Sequence, residues 1–433
     1  MKTAIALSGG GTKGSYELGV WKALKELGIE YDIVTGTSIG SINGALMATK
    51  DYERAFELWN TITMEDMMED GINLTATIEG MYDQKDAIRP FLKKYVKNKG
   101  ADISPFTAFI EDLVDEEAIR ESKIDFGLVT VRFPSLKACE LTKQDIPKGM
   151  LKDYILASAA IFPLFPMHKI DDTMYLDGCY HDNLPIDLAL RMGAKRIIAV
   201  DLHTSPAHLA YANRPYVTYI KPSRSLGTMM NFDHELLMEN AQMGYQDTMK
   251  IYGRYEGFLY TFSDKDSKQY QPAMEHFLWH IAHLDLWITD DLPAKKIAKN
   301  GDFNRIHTLL SMYTAGGKLT DWQYFVRAAE IGGTILDLDV RPVYQMQEYL
   351  ALLQKKISEY KATEEVTLIK NKDGVDLAGA LAELKHQNHK PTTAAAIYYA
   401  LAEKAFAPKV WVALLTLFPE ELTTALLLLS IQE

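Results

Sequence analysis

The first fifty residues alternate short apolar runs with amphipathic ones. Thr3–Leu7 is an unbroken apolar run of strand length, Ser15–Leu27 spaces its apolar positions as a helix does, Asp32–Thr35 returns to a strand pattern and Ile39–Thr49 to a helical one. That alternation predicts an α/β fold with a largely parallel sheet. Asp51–Arg120 is mostly helical in pattern, and Met150–Ala160 predicts another helix. Phe126–Val131 and Leu136–Leu141, flanking Pro134, predict a hairpin, while Met174–Leu176, Arg196–Val200 and Tyr216–Ile220 read as further short strands.

After about residue 265 the strand-like runs mostly stop. Helical spacing takes over around Trp279, Trp287, Trp322 and Trp411, and the polar stretch within Phe262–Pro272 ends in proline. The expected domains are therefore 1–264 and 265–433, the second mostly helical. Asn371–Asp376 reads as a turn without the ligand spacing of a calcium loop. Leu422–Ile431 follows Glu420 and Glu421 and is about half of the ~20 residues a membrane span needs, so it is expected to be a core helix.

Composition narrows the partners. The 433 residues are 47% hydrophobic and 24% charged, which suits two globular cores. A formal net charge of −12 opposes a general affinity for nucleic acid or anionic membranes, so peripheral contact with a lipid surface would have to be mainly hydrophobic. Two cysteines, Cys139 and Cys179, make no disulfide framework and fit a reducing, cytoplasmic setting. Ala4–Leu7 is too short for the apolar region of a signal peptide and is expected to be a buried first strand.

Three glycines then follow the first strand. Gly9, Gly11 and Gly14 match the G-x-G-x-x-G dinucleotide fingerprint in its usual context. That reading wants an acid at the end of the second strand, whereas Glu30 and Asp32 stand at its start and it ends in Gly36–Thr37. A Walker loop fails because no Gly-Lys-Ser/Thr follows at the required spacing.

The second strand runs into Gly36-Thr37-Ser38-Ile39-Gly40, a G-x-S-x-G nucleophile elbow. An elbow serine attacking an acyl carbon creates an oxyanion that needs preorganised donors. Consecutive glycines expose such N–H groups, so the loop is expected to hold an oxyanion, with Lys13 either reinforcing the positive field or lying solvated. The serine also needs a base. Asp177, at the end of a short strand and followed by Gly178, can present its carboxylate on the same rim, although an Asp-Gly pair more often marks only a turn.

The segments Ser8–Gly14, Gly36–Ala45, Ala157–Pro166 and Tyr175–Pro185, with weaker likeness through Ile220–Asp233, resemble the patatin-like phospholipase family over roughly residues 1–260. The resemblance implies a three-layer α/β/α domain and a metal-free, cofactor-free serine lipid acyl hydrolase. It also implies a dyad of Ser38 as nucleophile and Asp177 as base, an oxyanion hole of Gly9, Gly10 and Gly11, and supporting roles for Lys13, Gly14, Gly36, Gly40 and Gly178. Phospholipid or another acyl-ester lipid is the implied substrate, with no nucleic-acid partner. Two departures stand out: the family more often has arginine at Lys13, and glycine or alanine at Cys179. Asn183 and Pro185 are expected to shape a turn. Phe162, Leu164 and Phe165 read as core packing before acyl pocket.

Besides non-enzymatic dinucleotide binding through the glycine loop, two rivals accompany this reading. His181 and His203 follow Asp177 in the order of a Ser-Asp-His esterase, and a silent lipid- or protein-binding module would keep the fold without the chemistry.

Overall fold

The computed structural model describes residues 1–68, 102–264, 267–290, 305–311, 319–370, 380, 389–403 and 408–432. The chain divides into two compact units, Met1–Tyr252 and Gly253–Glu433.

In the first unit, β1 (Thr3–Leu7), β2 (Ile33–Thr37), β3 (Asp125–Phe133), β4 (Lys137–Thr142), β5 (His168–Ile170), β6 (Thr173–Asp177), β7 (Arg196–Val200) and β8 (Val217–Ile220) form one mixed sheet. Its order is β5-β6-β3-β2-β1-β7-β8, with β4 paired to β3. The run from β3 to β8 is parallel, while β4 and β6 pair antiparallel to β3 and β5 pairs antiparallel to β6. The chain leaves β1 for β2 on one side and later returns beside β1 as β7. Such a reversal opens a crevice at the carboxyl ends of parallel strands.

Alternate strand residues feed two cores, as a sheet covered on both faces requires. Ile5, Leu7, Val34 and Phe126 pack with the helices Ser15–Glu26, Ile39–Thr49, Tyr52–Thr61 and His234–Ile251. Ala4, Ala6, Ile33 and Ile197 pack on the other face with Ile186 and Ala189 of the helix Ile186–Arg191. The three layers expected from the sequence are present. The predicted strands and the Phe133–Lys137 hairpin lie within a few residues of their expected bounds; part of the predicted helical stretch Asp51–Arg120 lies outside the described residues.

Two helices lock the glycine loop from behind. A Cβ on Gly19 would stand 1.6 Å from the Ala241 carbonyl, and one on Gly244 would stand 2.0 Å from that of Tyr16, so Ser15–Glu26 and His234–Ile251 touch backbone to backbone. The Tyr16 hydroxyl donates to Asp247 across this seam (3.2 Å).

The second unit is helical, with a two-stranded parallel ribbon, Thr261–Phe262 and Val343–Tyr344. Its start explains why the division precedes the boundary read from the sequence. The Ser263 N–H donates to the Tyr344 carbonyl (3.0 Å), and the buried Glu330 carboxylate accepts from the N–H groups of Phe258, Leu259 and Tyr260. Residues 258–263 are thus held from within the second unit, ahead of most of the polar stretch Phe262–Pro272 where the boundary is read from the sequence. Pro419–Ser430 is a core helix, with Leu422, Leu426, Leu427 and Leu428 buried. Among the described residues no single helix is long and apolar enough to cross a membrane; Val410–Leu417 and Pro419–Ser430 reach that length only as a pair bent by 114°. The expected turn at Asn371–Asp376 lies outside the described residues.

Glu17 is a fully buried carboxyl on the helix behind the glycine loop. Burial raises its pKa from 4.5 to about 8 against the opposing hydrogen bond from Asn43, whose Nδ2 donates to Oε2 (2.7 Å). A carboxyl raised in the fold binds its proton more tightly there than in the unfolded chain. Its contribution to stability is therefore complete below pH 4.5 and is lost as pH rises toward about 8. Glu17→Gln should flatten that part of the profile, which urea melts at pH 5 to 9 would measure; an unchanged slope would remove Glu17 as its source.

Candidate active site

The placement of Ser38 and Asp177 follows from strand register. β4 occupies one edge of β3 over Gly127–Arg132, which leaves the other edge for two strands. β2 fills its first part and ends with Thr37 opposite Val129; β6 arrives antiparallel and ends with Asp177 opposite Thr130. Ser38, the next residue after β2, therefore meets the last residue of β6.

The turn at Ser38 is strained. Its φ of 54° and ψ of −123° lie where side chains other than glycine are rare. Close packing holds it there: a Cβ on Gly36 would stand 2.1 Å from the Gly40 carbonyl, and one on Gly40 would stand 2.5 Å from that of Leu7. The Ser38 N–H donates to Ser158 Oγ (2.9 Å), which donates to the Val129 carbonyl (2.7 Å). Ser158 thereby ties the elbow to β3, a role its place among alanines does not reveal. On the Asp177 side, a Cβ on Gly178 would meet the Val129 carbonyl at 2.3 Å.

Asp177 is 1% exposed. Burial raises its pKa from 3.8 to about 6, opposed by hydrogen bonds from the Cys179 N–H (2.8 Å) and from the Ser38 and Cys179 side chains. Burial and the neighbouring carboxylate push the Cys179 thiol well above its ordinary range, so it stays protonated at neutral pH.

The glycine loop differs from expectation at one position. The Gly9 N–H donates to the Asn183 carbonyl (3.0 Å), and Asn183 Nδ2 donates back to the Gly9 carbonyl (3.0 Å). Gly9 is therefore an anchor whose amide is already used. Among the described residues the Gly10 and Gly11 N–H groups have no acceptor. Gly11 sits at φ +58°, and a Cβ there would lie 2.1 Å from the Met229 carbonyl. Gly14 lets the loop lie against the elbow helix, since its Cβ would stand 2.6 Å from Ile39. Asn183, read from sequence as shaping a turn, is the residue that clasps the loop.

Ser38, Asp177, Gly9, Gly10, Gly11 and Lys13 line one cavity of about 380 Å³. Its apolar wall includes Ile42, Trp59, Phe106, Leu164 and Phe165; Leu164 and Phe165, read from the sequence as core packing before acyl pocket, thus line it, whereas Phe162 is 39% exposed and does not. Trp59 and Phe106 come from the helices Tyr52–Thr61 and Ser104–Leu113, whose pattern signals only a core, and Met230 from the turn before His234–Ile251. His203 also lines the cavity, but its Nδ1 lies 2.9 Å from Asp201, so its carboxylate partner is not Asp177. His181 is not among the lining residues and lies 3.9 Å from Glu140.

Residues 5–190 match the family described as patatin-like phospholipase. Over these residues the chain is similar to patatin-like phospholipases. Human patatin-like phospholipase domain-containing protein 6 is 31% identical over 206 residues, 46% of this chain and 13% of its own length. Lysophospholipase NTE1 of Candida albicans is 29% identical over 199 residues, again 46% of this chain and 13% of its own. The chain thus spans about one eighth of the length of these relatives, and the family match lies in its first unit. The crystal structure of VipD from Legionella pneumophila is similar over 97% of this chain and 91% of its own, at 15% identity and a TM-score of 0.41, too low to carry an argument.

The geometry of the patatin-like domain makes Ser158 testable. Ser158→Ala should leave the Ser38 N–H and the Val129 carbonyl without their shared partner, at a cost of about 1–3 kcal/mol. A lower urea midpoint at unchanged slope would report the loss; wild-type stability would mean that the hydroxyl does not hold the turn.

Proposed function

We propose that the patatin-like domain is a serine lipid acyl hydrolase that works through Ser38 and Asp177. The observation carrying this reading is the meeting of the carboxyl ends of β2 and β6 on one edge of β3, which brings a strained serine to a buried carboxylate in a largely apolar cavity.

Asp177 takes the Ser38 proton as Oγ attacks the ester carbonyl, and the Gly10 and Gly11 N–H groups receive the oxyanion. The tetrahedral intermediate collapses to acyl-Ser38, and the departing alkoxide takes the proton from Asp177. Water then attacks the acyl-serine, giving its proton to Asp177; collapse releases the fatty acid and returns that proton to Ser38. A carboxylate is a weak base for an alkanol. A pKa near 6 strengthens it while leaving it mostly ionised at pH 7.

The cavity supports a monoacyl substrate class. At about 380 Å³ it lies toward the small end of ligand sites, roughly 300–1,000 Å³, which suits one acyl chain better than two. A monoacyl lipid fits this volume, and the name lysophospholipase borne by the Candida albicans relative agrees with it.

Ser38→Ala and Asp177→Asn should each lower kcat/KM toward a short soluble ester by at least ~1,000-fold, with chelator present. Only the wild type should label rapidly with a fluorophosphonate. Full activity in Asp177→Asn would overturn the dyad, and an unlabelled, inactive wild type would favour a silent binding module.

The pH profile is a separate check. Because the base must be ionised, kcat/KM should fall about tenfold per unit below an inflection near pH 6 and be flat above it. A profile flat from pH 4.5 to 7 would exclude Asp177 as the base.

A further inference from the structure

His203 stands on the cavity wall with no task in the dyad chemistry. β7 runs beside β1 with Val200 opposite Leu7, and the contact continues beyond both strands. Leu202 N–H donates to Ser8 Oγ (3.0 Å), and a Cβ on Gly10 would touch the Leu202 side chain at 2.8 Å. His203 is therefore carried to the flank of the glycine loop. Its side chain is 52% exposed, which puts it at the mouth, away from the apolar depth.

The fully buried Asp201 fixes the ring. Its Oδ1 accepts from the His203 backbone N–H (3.0 Å) and lies 2.9 Å from Nδ1. Its Oδ2 accepts from the Ala207 N–H (2.8 Å) and the Tyr219 hydroxyl (2.5 Å). A carboxylate held by so many donors keeps a proton on Nδ1 and leaves Nε2 for the cavity. Among the described residues Nε2 has no partner, and neither does the ammonium of Lys13, the other cationic side chain on this wall. Asp177 is the one acid among the lining residues.

A chain of net charge −12 repels anions at long range, so an anionic substrate needs local cations at the site. If the acyl chain fills the apolar wall, the alcohol half of the ester lies toward the mouth. Resting on the hydrolase reading above, we propose that His203, oriented by Asp201, is a specificity-determining residue. It donates through Nε2 to a phosphate on the alcohol side of the ester, so that the site prefers acylglycerol phosphates to uncharged acylglycerols. The imidazolium donates from both nitrogens, one to Asp201 and one to the phosphate.

The test compares kcat/KM for 1-octanoylglycerol 3-phosphate and 1-octanoylglycerol, both kept monomeric. The wild type should favour the phosphate ester, and His203→Gln should lower that ratio about tenfold through KM for the phosphate ester, the value of one charge-assisted hydrogen bond. His203→Arg, which restores a cation, should recover part of it. Equal loss on both substrates would place the ring in acyl transfer, and no change in the ratio would remove it from recognition; either overturns the proposal. Binding of the phosphate ester to Ser38→Ala, with and without His203→Gln, reads the same contact without turnover. An inactive wild type that still binds the phosphate ester through His203 would count against the hydrolase reading alone, whereas equal binding by the two proteins would count against this one.

Discussion

One edge of β3 is shared by two strands, and the site depends on that division. Asp125–Val129 pairs with β2 and Thr130–Phe133 with β6, which runs the other way. Hydrogen-bond register is stiff because slipping by one residue turns every side chain to the opposite face. The separation of Ser38 from Asp177 is thus set by backbone pairing, with no need for two flexible loops to find each other. Val129, at the junction, also receives the Ser158 hydroxyl and lies against Gly178. The same peptide therefore positions the elbow, its brace and the turn after the carboxylate.

The glycine loop is fixed by a different device. It has no strand on its open side, so its position comes from the Asn183 clasp on Gly9, the Met229 carbonyl that receives the Thr12 N–H, and the tight helix seam behind it. The clasp occupies one amide, Gly9, and leaves the next two for the proposed oxyanion. Preorganised donors stabilise developing charge because they need not reorient when it appears. An anchored loop with two donors serves that end better than a loose one with three.

Much of this was legible in the chain. The strand-helix alternation gave β1, β2 and their helices closely, because parallel strands buried on both faces read as unbroken apolar runs. Ser38 and Asp177 were legible as a pair only through the resemblance, since an Asp-Gly at a strand end says nothing about which strand lies beside it. The use of the Gly9 amide was not legible, because its acceptor is a backbone carbonyl 174 positions away that any residue could supply. Ser158 was hidden for the same reason, and so was the join between the units. The polar stretch Phe262–Pro272 marks a boundary in the sequence, yet residues 258–263 are already tied to Glu330 and Tyr344, far along the chain. Local pattern records periodicity; it does not record which distant backbone groups meet.

The electrostatics of the site rest on a balance that substrate itself would move. Burial would make Asp177 a better base in the proposed reaction, and the Cys179 N–H and thiol, with the Ser38 hydroxyl, keep it from becoming a permanently neutral acid. Cys179 suits that position because its thiol stays protonated beside the carboxylate and continues to donate. The remaining variable is water in the cavity. An acyl chain lying along Trp59, Phe106 and Phe165 would expel it and lower the polarity of the cavity beside Asp177. In the proposed reaction the carboxylate therefore gains affinity for a proton as the chain fills the pocket, so the longer chain draws a stronger base from the same residue.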